Sequence, residues 1–248
     1  MQLHFLGTTG YHPNRRRDTA CLMIPEHGVI LDAGTGIFRA RDLIETAHLD
    51  IFLTHTHLDH CFGLTFLFDI LFERDISQVR VFADPKKHDA IENHLFAKDL
   101  FPIRPGFELL PLSPGKPVTL RGGGSLQAFS VRHPGGCLAM KLQWGNHSLA
   151  YVTDTTASPD ADYLQHIRGV NTLVHECYFP DGWEEHAELT GHSCLTPVAE
   201  IAAKSRAKQT WLVHLNPMIE SDSILDLSSV ESICDSMRIA DDGMIAEF

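Results

Sequence analysis

The chain has 248 residues, of which 44% are hydrophobic and 21% charged, with 18 Gly and 13 Pro, a balance that excludes disordered, collagen-like and low-complexity classes. At about 150 residues per domain the length fits one large domain or two small ones. The net charge of −12, from 20 Lys plus Arg against 32 Asp plus Glu, disfavours broad attraction to nucleic acid or an anionic membrane and leaves room only for a local basic patch.

The six cysteines contain no CxxC pair, and the opening MQLHFLGTTGYHPNRRR lacks the charged-then-apolar order of a signal peptide, so a reduced, cytoplasmic protein is expected. No apolar run reaches the ~18 residues of a membrane span. The longest candidate, around Phe62 to Phe72, is broken by Asp69. Sixteen His are an excess that calls for a search for metal ligands.

In chain order, the short apolar runs Gln2 to Leu6, Ala20 to Ile24, Val29 to Leu31, Ile51 to Leu53 and Val79 to Ala83 predict strands. Gly63 to Phe72 predicts a buried helix, its Phe62, Phe66, Phe68 and Phe72 forming core, and Pro85 to Lys98 predicts an amphipathic helix. A Pro- and Gly-rich middle, Phe101 to Gly124, is a candidate boundary between two sheet-plus-helix halves. Beyond it, strands are expected at Leu126 to Val131, Cys137 to Trp144 and Ser148 to Thr153, the last two joined by a Gly145-Asn146 hairpin turn. A short helix Asp160 to Ile167, a strand Asn171 to Cys177, a helix Ser193 to Ala207 and a strand Thr210 to Leu215 follow. A helix near Ser228 to Met237 and a strand Gly243 to Phe248 close the chain. One domain with two similar halves is expected over residues 1–248.

Directly after Ile51 to Leu53 comes Thr54-His55-Thr56-His57-Leu58-Asp59-His60, four ligand-type side chains in six residues. Groups so crowded repel or lose solvation unless a cation holds them. In an extended loop His55, His57 and Asp59 share one side while His60 turns to another.

This HxHxDH pattern resembles the signature of the metallo-beta-lactamase superfamily. His133 in VRHPGG, Asp154 in YVTDT and His214 in WLVHLNP stand at predicted strand ends in the family's order. The resemblance implies a four-layer αββα sandwich, with His55, His57 and His133 on one metal, Asp59, His60 and His214 on a second, and Asp154 bridging. Two divalent ions are implied, zinc first, while imidazole with carboxylate also suits Mn or Fe. Such a pair, about 3.5–4 Å apart, supplies a metal-bound hydroxide at neutral pH. Asp32 in ILDAG matches a family position that closes a turn. For Arg15-Arg16-Arg17 a solvated charge run is the simpler account, contact with a substrate phosphate the alternative.

His175-Glu176-Cys177-Tyr178-Phe179 and Gly191-His192-Ser193 resemble the second half of the RNase Z group and its phosphodiesterase relatives. That resemblance gives Glu176 and His192 to proton handling and Asp59 to orienting the attacking water. A carboxylate fixes the tautomer of an imidazole that can protonate a leaving alkoxide. His192 also reads as a helix-start residue beside a Ser193 cap, His175 as a strand residue, and Glu184-Glu185-His186 as a solvated loop.

RNase Z enzymes carry a long arm between the third metal motif and the bridging Asp, whereas His133 and Asp154 are only 21 positions apart. The expected activity is therefore hydrolysis of a small cyclic or linear phosphodiester, with tRNA 3′ processing, and so a nucleic-acid partner, disfavoured. Thioester, lactone or beta-lactam hydrolysis on the same scaffold is a further alternative that does not require Glu176 and His192. A non-catalytic metal-binding module conflicts with seven ligands, since structural zinc sites close with four. No membrane partner is expected, and a homodimer is left open.

Overall fold

The computed structural model describes residues 1–219 and 225–248. Six strands open the chain: β1 (Gln2–Gly7), β2 (Cys21–Ile24), β3 (Val29–Leu31), β4 (His48–Phe52), β5 (Gln78–Ala83) and β6 (Glu108–Pro111). Seven more follow: β7 (Val118–Thr119), β8 (Ser125–Val131), β9 (Cys137–Trp144), β10 (His147–Val152), β11 (Thr172–Glu176), β12 (Gln209–Val213) and β13 (Met237–Ile239). The last strand, β14 (Ile245–Glu247), pairs antiparallel with β1. The first sheet runs β14-β1-β2-β3-β4-β5-β6 and the second β13-β12-β11-β10-β9-β8-β7. The two sheets are thus not successive halves of the sequence, because the final strand crosses back to the first.

Side chains alternate between the faces of a strand, and that alternation builds the layers. Leu31, Phe52, Tyr151 and Val174 point into the core between the sheets, with Phe5, Leu126, Met140 and Trp211. Their neighbours Ile30, Ile51 and Val81 face outward on the first sheet, under Leu64, Leu67 and Ile70. On the second sheet Ala150, Leu173 and Leu212 face outward beneath Val198, Ala199, Ile201 and Ala202. Helix covers both outer faces, giving the expected αββα order.

Among the described residues five short α-helices lie between the strands: α1 (Leu58–Cys61), α2 (Leu67–Leu71), α3 (Leu164–Ile167), α4 (Glu184–Thr190) and α5 (Leu195–Ser205). Several expectations are corrected here. Gly63 to Phe72 is not one buried helix: a 3-10 turn Phe62–Phe66 precedes α2, and Phe62, Phe68 and Phe72 are exposed. Gly63 is pinned there, since a Cβ on it would lie 2.2 Å from the Gly34 carbonyl oxygen. Pro85 to Lys98 divides into a 3-10 turn, Pro85–Lys87, and a π-helical turn, Ala90–Leu95. The helix expected near Ser228 to Met237 shrinks to Leu227–Val230, and Met237 begins β13. Glu184-Glu185-His186 is the first turn of α4, not a loop. Cys194, not Ser193, stands at the N-cap position of α5, and its side chain makes no capping hydrogen bond.

Strands β3 to β6 are mutually parallel, as are β10 to β13. Their carboxyl ends therefore open on one edge, where open α/β sheets place their functional side chains. Among the described residues no helix is long and apolar enough to cross a membrane.

Candidate metal centre

His55, His57, Asp59 and His60 follow β4 directly, and α1 turns Asp59 and His60 inward. His133 lies just beyond β8, Asp154 just beyond β10 and His214 next to β12. All seven residues meet at one edge between the sheets, in the groups His55, His57, His133, Asp154 and Asp59, His60, His214.

The distances within these groups are informative. His57 Nδ1 lies 3.3 Å from His133 Nε2, and Asp154 Oδ2 lies 3.6 Å from both His55 Nε2 and His133 Nε2. In the other group His60 Nε2 and His214 Nε2 are 3.2 Å apart, with Asp59 Oδ2 at 3.4 and 3.2 Å from them. Asp154 Oδ1 stands 3.1 Å from His60 Nε2 and 3.3 Å from His214 Nε2. Ligands about 2.0–2.2 Å from a tetrahedral ion are separated by about 3.3–3.6 Å, so the contacts trace two such coordination figures. Asp154 offers one oxygen to each. His55 Nε2 is buried without a hydrogen-bond partner, an arrangement that costs free energy unless a cation receives its lone pair. This donor set fits two divalent ions.

The surroundings orient the ligands. Asp32, fully buried, receives hydrogen bonds from the Thr54 N–H at 2.8 Å and the Tyr151 hydroxyl at 2.9 Å, and its Oδ2 lies 2.8 Å from His60 Nδ1. Asp32 thus does more than close a turn: a carboxylate on Nδ1 directs Nε2 toward the cluster. His133 Nδ1 meets the Gly191 carbonyl at 3.0 Å. Burial would raise the Asp59 carboxyl, but His60 and His214 hold it well below the usual carboxylate range. Burial likewise opposes charge on His60, yet Asp154, Asp59 and Asp32 push it well above the ordinary imidazole value.

Glu176, at the end of β11, is fully buried. Its Oε1 accepts the Thr155 N–H at 2.7 Å and lies 3.2 Å from His192 Nδ1, while Oε2 accepts the Ser193 N–H at 3.2 Å. His192 stacks on the His214 ring at 5.1 Å, and one of its ring nitrogens comes within 4.8 Å of ligand atoms on Asp154 and His214. Burial lowers the His192 pKa, but Glu176 more than offsets it, leaving the imidazole above its ordinary value. His175 is a buried strand residue whose Nε2 lies 2.8 Å from the Tyr163 hydroxyl. The arginine run is not a solvated stretch as a whole: Arg17 is buried beside Asp241, and the Arg16 Nε donates to Asp241 at 2.7 Å. Arg15 is exposed.

Two features escaped the sequence reading. Among the described residues six non-glycine residues have positive φ, and Tyr11 (+61°), Asp32 (+59°), Asp154 (+49°) and His214 (+54°) are four of them. The Tyr11 N–H also donates to Asp59 Oδ2 at 2.7 Å. Asp and His enter the left-handed region more readily than most residues, but nothing in the sequence flags Tyr11.

The model of the Beta-lactamase superfamily domain matches residues 27–215, and the chain belongs to this superfamily of metal-dependent hydrolases. It is 27% identical to a ribonuclease Z from Bradyrhizobium sp. (strain ORS 278), with 97% of each chain covered. That alignment spans 303 positions, so at least 55 lie opposite no residue of the 248. Among solved structures, the metallo-beta-lactamase fold protein YhfI from Bacillus subtilis aligns with a TM-score of 0.79 at 18% identity, covering 100% of this chain and 99% of that one. A diphosphatase from the PhnP family aligns at 0.74 with 19% identity, covering 100% and 96%. These structural likenesses show the fold.

Proposed function

We propose that this hydrolase is a phosphodiesterase acting on a small cyclic or linear phosphodiester. The observation that carries the reading is the Glu176–His192 pair, 3.2 Å apart beside the cluster that Asp154 spans. Thioester hydrolysis expels a weakly basic thiolate, and thioester, lactone and beta-lactam hydrolysis on this scaffold do not require this pair. Residues 1–248 act as one unit in this reading, because both sheets supply ligands.

His55, His57 and His133 would hold one divalent cation, Asp59, His60 and His214 the other, and Asp154 both. Zinc is the first choice, and Mn or Fe also suit imidazole with carboxylate. When bound, such a pair supplies Lewis acidity at phosphoryl oxygens and lowers the pKa of water. The chain's own groups do the rest. Asp59, held ionised, orients the attacking water as an acceptor. Glu176 fixes the proton on His192 Nδ1, so Nε2 carries the proton given to the leaving oxygen. A raised imidazole pKa suits that task near neutrality.

The name of the Bradyrhizobium relative favours tRNA 3′ processing as the second reading. Against it stand the net charge of −12 and the Gly145-Asn146 turn, which closes β9 onto β10 where an arm would be inserted. The tests are turnover of bis(p-nitrophenyl) phosphate by protein of assayed metal content and, because nitrophenolate leaves unprotonated, the effect of His192→Ala on a 2′,3′-cyclic nucleotide, whose leaving oxygen is an alkoxide. Loss of about 10²–10⁴-fold in kcat is expected for a removed general acid. Absence of turnover in fully metallated protein, or an unaffected variant, would overturn the assignment.

A further inference from the structure

Tyr11 stands at the rim of this centre in a backbone conformation that its own side chain disfavours. Its φ of +61° lies in the left-handed region, where Cβ crowds the following carbonyl oxygen. Glycine would adopt it freely, and no core burial compensates, because Tyr11 is 74% exposed. The site itself sets the geometry. Gly10 passes so near His214 that a Cβ would lie 2.3 Å from the ring, and the next N–H, that of Tyr11, is spent on Asp59. Among the described residues the Tyr11 ring makes one aromatic contact, edge-on to His12 at 5.3 Å. Strain of this kind is retained where it serves a site.

A second phenol lies on the same side. Tyr178 is half-buried, stacks on His192 at 4.8 Å with an interplanar angle of 17°, and lies 5.9 Å from the His214 ring. The rim beside Asp59 and His214 is therefore aromatic.

We infer that Tyr11, with Tyr178 behind it, forms a subsite that stacks a nucleobase, which makes the substrate a nucleoside phosphodiester. This rests on the phosphodiesterase reading above. A nucleobase is the flat ring that a phosphodiester carries one sugar away from phosphorus, and the Tyr11 backbone N–H, bonded to Asp59, anchors this residue at the edge of the cluster. A single nucleotide also brings little charge to a protein at −12, whereas a polynucleotide meets repulsion along its length.

The experiment compares thymidine 5′-(4-nitrophenyl) phosphate with methyl 4-nitrophenyl phosphate, which share a leaving group and differ in the nucleoside. The readout is the ratio of their kcat/KM values, alongside calorimetric binding of thymidine 5′-monophosphate to the metal-loaded protein. Base–aromatic stacking predicts that Tyr11→Gly, which keeps the backbone conformation, lowers the ratio and the affinity by about 5- to 100-fold. Tyr11→Phe, which keeps the ring, holds both within about threefold. Turnover of both esters with no nucleoside preference, or with a preference that Tyr11→Gly leaves intact, overturns the subsite and leaves the phosphodiesterase reading standing. If neither ester turns over, that reading falls and calorimetry decides the subsite: weaker monophosphate binding by Tyr11→Gly supports it, and equal binding overturns it.

Discussion

Replacing Asp32 by Asn isolates what the buried carboxylate does for His60. Oδ1 of Asp32 accepts the Thr54 N–H, while Oδ2 faces His60 Nδ1 at 2.8 Å and the Tyr151 hydroxyl at 2.9 Å. If the Asn oxygen stays on Thr54, its amide N–H₂ confronts two groups that were donating. The tyrosine hydroxyl can rotate to accept. His60 can accept only by moving its proton from Nδ1 to Nε2, the atom that faces Asp154, Asp59 and His214. A protonated Nε2 cannot bind a cation. Loss of such an outer partner costs about 10–100-fold in metal affinity, equivalent to about 1.4–2.8 kcal/mol. The measurement is zinc competition against a chromophoric chelator, with Tyr151→Phe as control. That control removes one hydrogen bond from Asp32 without disturbing the His60 tautomer, so its zinc affinity stays close to wild type. Equal zinc affinity in Asp32→Asn and wild type would refute the reasoning, since either His60 is no ligand or Asp32 does not orient it.

Gly10→Ala places a methyl 2.3–2.6 Å from three atoms of the His214 ring, and the expected result is displacement of His214, with bound zinc falling from two ions toward one and a loss of about 100-fold in kcat/KM; two ions retained would contradict it. Asp242 is held by burial at a pKa of about 6, against 3.8 for an unperturbed Asp. Its folded-state pKa is raised, so its contribution to stability is fully present below about pH 4 and lost as pH rises through about 6. Urea unfolding of wild type and Asp242→Asn should therefore diverge by up to about 3 kcal/mol between pH 4 and 7, in favour of the variant. A difference that does not change with pH would remove the basis for this expectation.

The residues proposed as metal ligands were legible because the clusters they form follow strands whose apolar runs mark them, as Ile51 to Leu53 marks His55 and Thr210 to Val213 marks His214. The Glu176–His192 contact, at 16 residues' separation, was legible only through resemblance, and the structure supplies its distance. Strands β6 and β7 went unseen because four and two residues, none of them fully buried, leave no periodic signal, and Pro111 sits in the first. The phenylalanines after His60 were expected in the core on composition, yet Gly63 locks the chain against Gly34 and turns Phe62 outward. Helix α4 is too polar to show an apolar face, with Ala187 its one buried residue. Tyr11 illustrates the deeper limit: its importance lies in a dihedral angle, and a tyrosine codon carries no sign of it.

The four strained positions around the centre, Tyr11, Asp32, Asp154 and His214, bear on how this protein responds to selection. In a random library challenged by heat alone, glycine at the exposed Tyr11 relieves the backbone, whereas at the buried Asp32 it would leave the Thr54 and Tyr151 donors unpaired. Survivors of such a screen would accumulate at Tyr11, on the rim of the proposed centre, and not at Asp32. A position where thermal gain and catalytic loss coincide would thus mark the rim of the proposed centre without any knowledge of the substrate.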